Sequence, residues 1–156
     1  GYSGAGTTPS RKNDQAALAD NLMPYGLVDH THEREMSRHL GQAVRFSPHV
    51  AAFFRGITVT AQLEFAKPIS AQALVAAFDA AYGGETLIRL QEDIPEVRDG
   101  AFNPGAVIGG LSVSPDGRRA VVVCALDNLL KGAATQAVQN LALALGLPEF
   151  DGFAPR

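Results

Sequence analysis

The segment L-V-D-H-T-H-E-R-E, residues 27–35, sets His30 and His32 one residue apart with acids on either side. Such a pair can ligate a metal, move a proton, or simply sit solvated in a loop. A structural zinc needs four ligands and a catalytic one usually three. Asp29 and Glu33 are near in sequence, but no second ligand cluster follows, so no metal is expected. Histidine is the side chain that ordinarily titrates near neutral pH, which suits acid–base work. His39 reads as a solvated helix residue, and His49, after Ser47-Pro48, as a maker of one structural hydrogen bond.

Other residues offer weaker chemistry. Cys124 lies in V-V-V-C-A, a run too apolar to favour a thiolate, and reads as a packing residue. The opening G-Y-S-G-A-G has the small residues and free N–H groups that let a phosphate or a cofactor ring approach. No strand precedes it and the dinucleotide fingerprint is incomplete, so a tight turn is the alternative. Asn128, between an apolar strand and the last helix, can cap that helix or hydrogen-bond a ligand carboxamide. Lys131 in the first turn opposes the helix dipole and hints at a nearby anion. Arg55, in F-F-R-G-I, and Arg98, in a long loop, can each grip a carboxylate or phosphate.

The elements that must position these residues follow from composition and periodicity. The chain has 156 residues, 46% of them apolar and 19% charged, which fits one globular domain over 1–156. A net charge of −3 disfavours nucleic acid. No apolar run approaches the roughly 20 residues that span a bilayer, and no signal peptide is visible. One cysteine permits no internal disulfide, so a cytoplasmic location is the default. The Gly-rich opening looks cut from something longer.

Thr31 is placed to cap a helix over 32–40, with Gly41 after it. A short helix is weakly indicated at 14–20 and a strand at 43–47. Ile57, Val59, Ala61, Leu63 and Phe65 alternate with polar residues, predicting a strand with one buried and one wet face. Ser70 caps a helix over 71–82, with Leu74, Ala77, Phe78 and Ala81 as its apolar stripe. Strands follow at 86–91, 106–113 and 118–125, the last two joined by the turn Ser114-Pro115-Asp116-Gly117. A helix over 129–145 turns Leu130, Ala134, Ala137, Val138, Leu141 and Leu145 to one side. The order predicts an α+β fold with a mixed, mainly antiparallel sheet covered by helices.

Several segments, in order from end to end, carry a resemblance. They are G-Y-S-G-A-G at 1–6, P-Y-G-L-V-D-H-T-H-E-R-E-M at 24–36, F-S-P-H-V at 46–50, F-R-G-I at 54–57, L-D-N-L-L-K-G-A-A-T-Q-A-V-Q-N-L at 126–141 and G-L-P-E at 146–149. The chain resembles the C-terminal catalytic and dimerisation domain of the N-acetyl-gamma-glutamyl-phosphate reductases. The resemblance implies a fold similar to the C-terminal domain of glyceraldehyde-3-phosphate dehydrogenase-like enzymes, beside a Rossmann domain. It implies NADPH-dependent reduction of an acyl phosphate, through a cysteine thioester, to N-acetylglutamate 5-semialdehyde in arginine biosynthesis. It implies a homo-oligomer, dimer or tetramer. Carried over, His30 matches the acid–base histidine, His32 the second histidine and Tyr25 a tyrosine beside the site. Ser3, Gly4 and Ala5 match the small loop beside substrate and cofactor, and Asn128 an asparagine near the nicotinamide. Arg55 joins them as a substrate-binding expectation.

Two departures stand out. The family's N-x-G-C nucleophile motif and Rossmann Gly-rich loop are absent from these 156 residues, and Cys124 is in the wrong place. Thr31 stands where the family usually has arginine, with Arg34 or Arg98 as substitutes. The chain alone is therefore expected to be inactive. A related acyl-phosphate enzyme of aspartate-semialdehyde or aminoadipate type, or a non-catalytic dimerisation module, remains the alternative.

Overall fold

The computed structural model describes residues 1–150, 152 and 153. The chain divides into two compact units, Gly1–Phe54 and the remainder from Arg55. In the first, a 3-10 turn at Tyr2–Ala5 precedes α1 (Gln15–Leu18), β1 (Leu22–Pro24), α2 (Thr31–Leu40) and β2 (His49–Ala51). Asp14 caps α1 by accepting the Ala16 N–H, and Leu18, fully buried, anchors that short helix. β1 and β2 pair antiparallel, with Met23 opposite Val50.

Two expectations fail in this unit for identifiable reasons. The cap of α2 is His30, not Thr31: the His30 ring accepts the His32 N–H, and Thr31 begins the helix. Residues 43–47 form no strand. Their backbone donors are taken by α2 instead, Val44 N–H by Ser37 Oγ at 2.9 Å and Phe46 N–H by Glu33 Oε2 at 3.1 Å. A segment whose N–H groups are satisfied by side chains has none left for a ladder.

The second unit is a four-stranded sheet in the order β3-β6-β5-β4, built from β3 (Ile57–Glu64), β4 (Ile88–Leu90), β5 (Ala106–Val113) and β6 (Arg119–Leu126). β3–β6 and β6–β5 are antiparallel and β5–β4 parallel, so the expected mixed sheet is present. α3 (Ala71–Tyr82), capped by Ser70, lies along β4 and β5 and buries Leu74. α4 (Val97–Gly100) packs on β6 so closely that a Cβ at Gly100 would come within 2.5 Å of the Leu126 nitrogen.

Opposed residues in a ladder share a face. Thr58, Ala125 and Val107 form one row, and the last two are fully buried. The next row, Val59, Cys124 and Ile108, lies on the other face. There Val59 is 42% and Ile57 38% exposed. The residue types in β3 alternate as expected, but the buried face expected of them is not formed: β3 is an edge strand, Ile57 and Val59 are exposed, and Ala61 and Leu63 are half-buried.

The final helix also differs. Leu130–Ala134 is a π-helical turn that runs into α5 (Thr135–Ala144). The wider turn rotates the helix, so Thr135, Gln139 and Ala142 are buried while Val138, Leu141 and Leu145 stay exposed. Gln139 accepts from Lys131 Nζ at 2.8 Å and donates to Glu149, which accounts for its buried amide.

Candidate functional site

In the first unit the two histidines meet. The His30 and His32 ring centroids are 4.9 Å apart, and Phe46 lies 5.4 Å from the first and 6.0 Å from the second. Tyr25 meets His30 edge-on at 5.7 Å, and Lys12 Nζ stands 4.8 Å from the centre of the tyrosine ring. Tyr25 and His30 are half-buried and His32 is exposed. His30 Nδ1 accepts the His32 backbone N–H at 3.2 Å. In the neutral ring the proton therefore resides on Nε2, the nitrogen that the cap leaves free.

Gly26 completes this arrangement. Its φ is +53°, and a Cβ there would come within 2.7 Å of His30 Cδ2. Only glycine fits both the backbone and the ring. The sequence reading did not single out Gly26, Phe46 or Lys12, because their roles depend on contacts across the unit. Arg34 reaches back to the Asp29 carbonyl at 3.2 Å, so its guanidinium serves the loop before α2. His49 Nδ1 lies 3.1 Å from the Ser47 carbonyl, a local contact as expected.

The small-residue opening is a 3-10 turn tied down at its start: Tyr2 and Ser3 donate to the Phe53 and Phe54 carbonyls, each at 3.0 Å. Gly4 within it is exposed and Ala5 half-buried. An exposed turn of such residues suits the approach of a flat ring.

In the second unit two dipeptides grip each other. Asn128 Oδ1 accepts the Gly56 N–H at 2.7 Å, and Asp127 Oδ2 lies 2.6 Å from Arg55 Nε. The Asn128 carbonyl thus braces the start of β3 rather than capping the last helix. Asp127 does the capping, its Oδ1 accepting from Leu129 N at 2.8 Å and Leu130 N at 3.1 Å. Asp127 is fully buried, and its Oδ2 also accepts the Phe102 N–H at 2.6 Å. Burial alone would raise this carboxyl's pKa. Arg55 and the N–H groups of Phe102, Leu129 and Leu130 outweigh burial and hold it below the ordinary value of 3.8. The Arg55–Asp127 approach is an ion pair: the Nε–H is not directed into a hydrogen bond. Arg98 pairs with Glu96 at 2.7 Å in solvent.

Cys124 is half-buried on β6, and burial raises its thiol pKa, the reverse of what a nucleophile needs. Among the described residues no three His, Cys, Asp or Glu side chains gather as a metal site. No helix there is long and apolar enough to cross a membrane.

The chain is 56% identical, over 96% of its length, to N-acetyl-gamma-glutamyl-phosphate reductase of Stenotrophomonas maltophilia (strain R551-3), and covers 47% of that protein. It is 51% identical to the mitochondrial protein arg11 of Schizosaccharomyces pombe, covering 17% of it. The chain thus spans about half the length of the bacterial relatives it matches. Its fold matches aspartate semialdehyde dehydrogenase II of Vibrio cholerae with a TM-score of 0.68 at 23% identity, covering 88% of this chain and 43% of that one. The model of the semialdehyde dehydrogenase dimerisation domain matches residues 1–128, and the chain belongs to that family.

Proposed function

We propose that this chain is the C-terminal part of an NADPH-dependent reductase that converts N-acetyl-gamma-glutamyl phosphate to N-acetylglutamate 5-semialdehyde and phosphate in arginine biosynthesis. The observation that carries this reading is identity above one half, along nearly the whole chain, to proteins named for that activity. The geometry supports it. His30 is held by its own helix with Nε2 available, and Tyr25, His32 and Phe46 fix its ring. In this reading the Nε2–H of His30 faces the substrate, and proton exchange there goes with release of the His32 N–H from Nδ1, which then carries the ring's other proton; Tyr25 and His32 flank the substrate. NADPH, when bound, supplies the hydride. The exposed turn with Gly4 and Ala5, and Asn128 beside Gly56, are the residues of this chain that would meet its nicotinamide. Ser3 and Arg55 would meet the substrate.

The nucleophile then comes from outside these residues, since Cys124 is a strand residue with a raised thiol pKa. A Rossmann domain is the natural source of both the nucleophile and the dinucleotide site. The apolar face of β3, where Ile57 and Val59 are exposed, is the surface through which two copies would associate.

The test is an assay of the complete polypeptide with two acyl phosphates. NADPH oxidation with N-acetyl-gamma-glutamyl phosphate in clear preference to aspartyl phosphate is expected. The reverse preference would make the protein an aspartate-semialdehyde type enzyme. The 156-residue chain alone should oxidise no NADPH with either substrate.

A further inference from the structure

Three features of the second unit converge on one side chain. Arg55 has its Nε against the buried carboxylate of Asp127 at 2.6 Å. Its guanidinium lies over the Phe102 ring, 4.4 Å from the centroid. Its terminal nitrogens have no hydrogen-bond partner among the described residues, and the side chain keeps 17% exposure. Phe102 meanwhile holds φ at +62°, a left-handed conformation that an aromatic residue adopts at a cost of roughly 1 kcal/mol or more. That conformation goes with a Phe102 N–H on Asp127 and a Phe102 ring on Arg55 at the same time. Strain kept at such a point indicates that the orientation of the guanidinium matters.

We propose that Asp127 and Phe102 are positioning residues that hold Arg55 to receive a carboxylate of the substrate, an inference that rests on the acyl-phosphate reductase reading above. The charge balance selects the ligand class. Arg55 and Asp127 together carry no net charge, so the pair has little long-range attraction for a phosphate dianion. What remains is directional: the terminal N–H groups of a fixed planar fork match two oxygens of a carboxylate or of a phosphate, and the already paired arginine suits the singly charged carboxylate better. Phe102 covers one face of the guanidinium and so restricts the ligand to the edge.

The test uses the complete polypeptide and two substitutions. Phe102→Gly keeps the left-handed backbone and the N–H to Asp127 while removing the ring. Arg55→Lys keeps the charge but loses the fork. Phe102→Gly should raise KM for the acyl phosphate about threefold to tenfold, with a smaller change in kcat and no loss of thermal stability. Arg55→Lys should raise it about tenfold or more. Inhibition by N-acetylglutamate should weaken in parallel in both variants, while inhibition by inorganic phosphate stays as in the wild type. Wild-type KM in both variants overturns this inference and leaves the reductase reading intact. Weakened phosphate inhibition with unchanged N-acetylglutamate inhibition overturns it too, by assigning Arg55 to the phosphate. A wild-type polypeptide that reduces no acyl phosphate overturns both readings.

Discussion

His30 Nδ1 accepts the backbone N–H of His32 at 3.2 Å, so one ring both caps α2 and carries the proposed catalytic proton. These two duties can be separated by substitution. Asparagine is among the best N-cap residues, whereas alanine is among the poor ones. His30→Asn in the complete enzyme should lower kcat by about a hundredfold to ten-thousandfold while melting near the wild type. His30→Ala should lose the same activity and, in addition, about 1 kcal/mol of stability. Calorimetry and steady-state rates on the two variants check this. Wild-type turnover in the asparagine variant would remove His30 from the chemistry.

Gly26 stands behind that ring. Its φ of +53° already penalises any side chain, and a Cβ would sit 2.7 Å from His30 Cδ2. The ring is the part that yields, since one hydrogen bond, from the His32 N–H, and the edge contacts of Tyr25, His32 and Phe46 are all that hold it. Gly26→Ala should therefore displace the imidazole and lower kcat by about tenfold or more, with about 1 kcal/mol lost from stability. A crystal structure or histidine NMR shifts would show whether the ring moved. An unmoved ring with normal turnover would show that the loop gives way instead.

How much of this was legible beforehand depended on whether the determinant was local. Ser70 and the hairpin Ser114–Gly117 announce their elements because cap and turn chemistry lie within a few residues. The two histidines were likewise visible from spacing. The segment 43–47 was misread because its fate is decided by Ser37 and Glu33, several residues away on α2. The face of α5 was misread because a π-helical turn shifts the phase of the helix, which a 3.6-residue period does not anticipate. Asp127 was passed over because its neighbour Asn128 offers an equally good cap on sequence alone. Its second partner, Arg55, is 72 residues back along the chain and no local pattern shows it.

Asp127 also gives a pH signature. Its carboxyl titrates below 3.8 in the folded chain and at about 3.9 when unfolded. Above both values it is ionised in both states, and the full stabilisation by Arg55 and three N–H groups is present. As pH falls through the lower, folded value, the group must be protonated in the native state too, and that stabilisation is lost. Asp127→Asn should cost about 2 kcal/mol at neutral pH, and its deficit relative to the wild type should shrink below pH 3.8. Urea titrations at several pH values check this. A deficit that stays constant into acid would mean that the carboxylate charge contributes nothing.

The apolar face of the sheet yields the last expectation. Val59 sits on an edge strand, opposite Cys124 and in the same row as Ile108, yet it is 42% exposed. Within a single chain a charge at Val59 meets water and costs little. In an interface between two copies it would be buried without a partner, at a cost of several kcal/mol, about enough to abolish association. Val59→Glu should therefore give a folded monomer by sedimentation if the wild type associates through this face. Thr58→Glu, on the opposite face of the same strand, should leave the wild-type mass unchanged. Equal masses for all three proteins would place any interface elsewhere. A monomer from both variants would point to a general loss of the β3 edge rather than to this face.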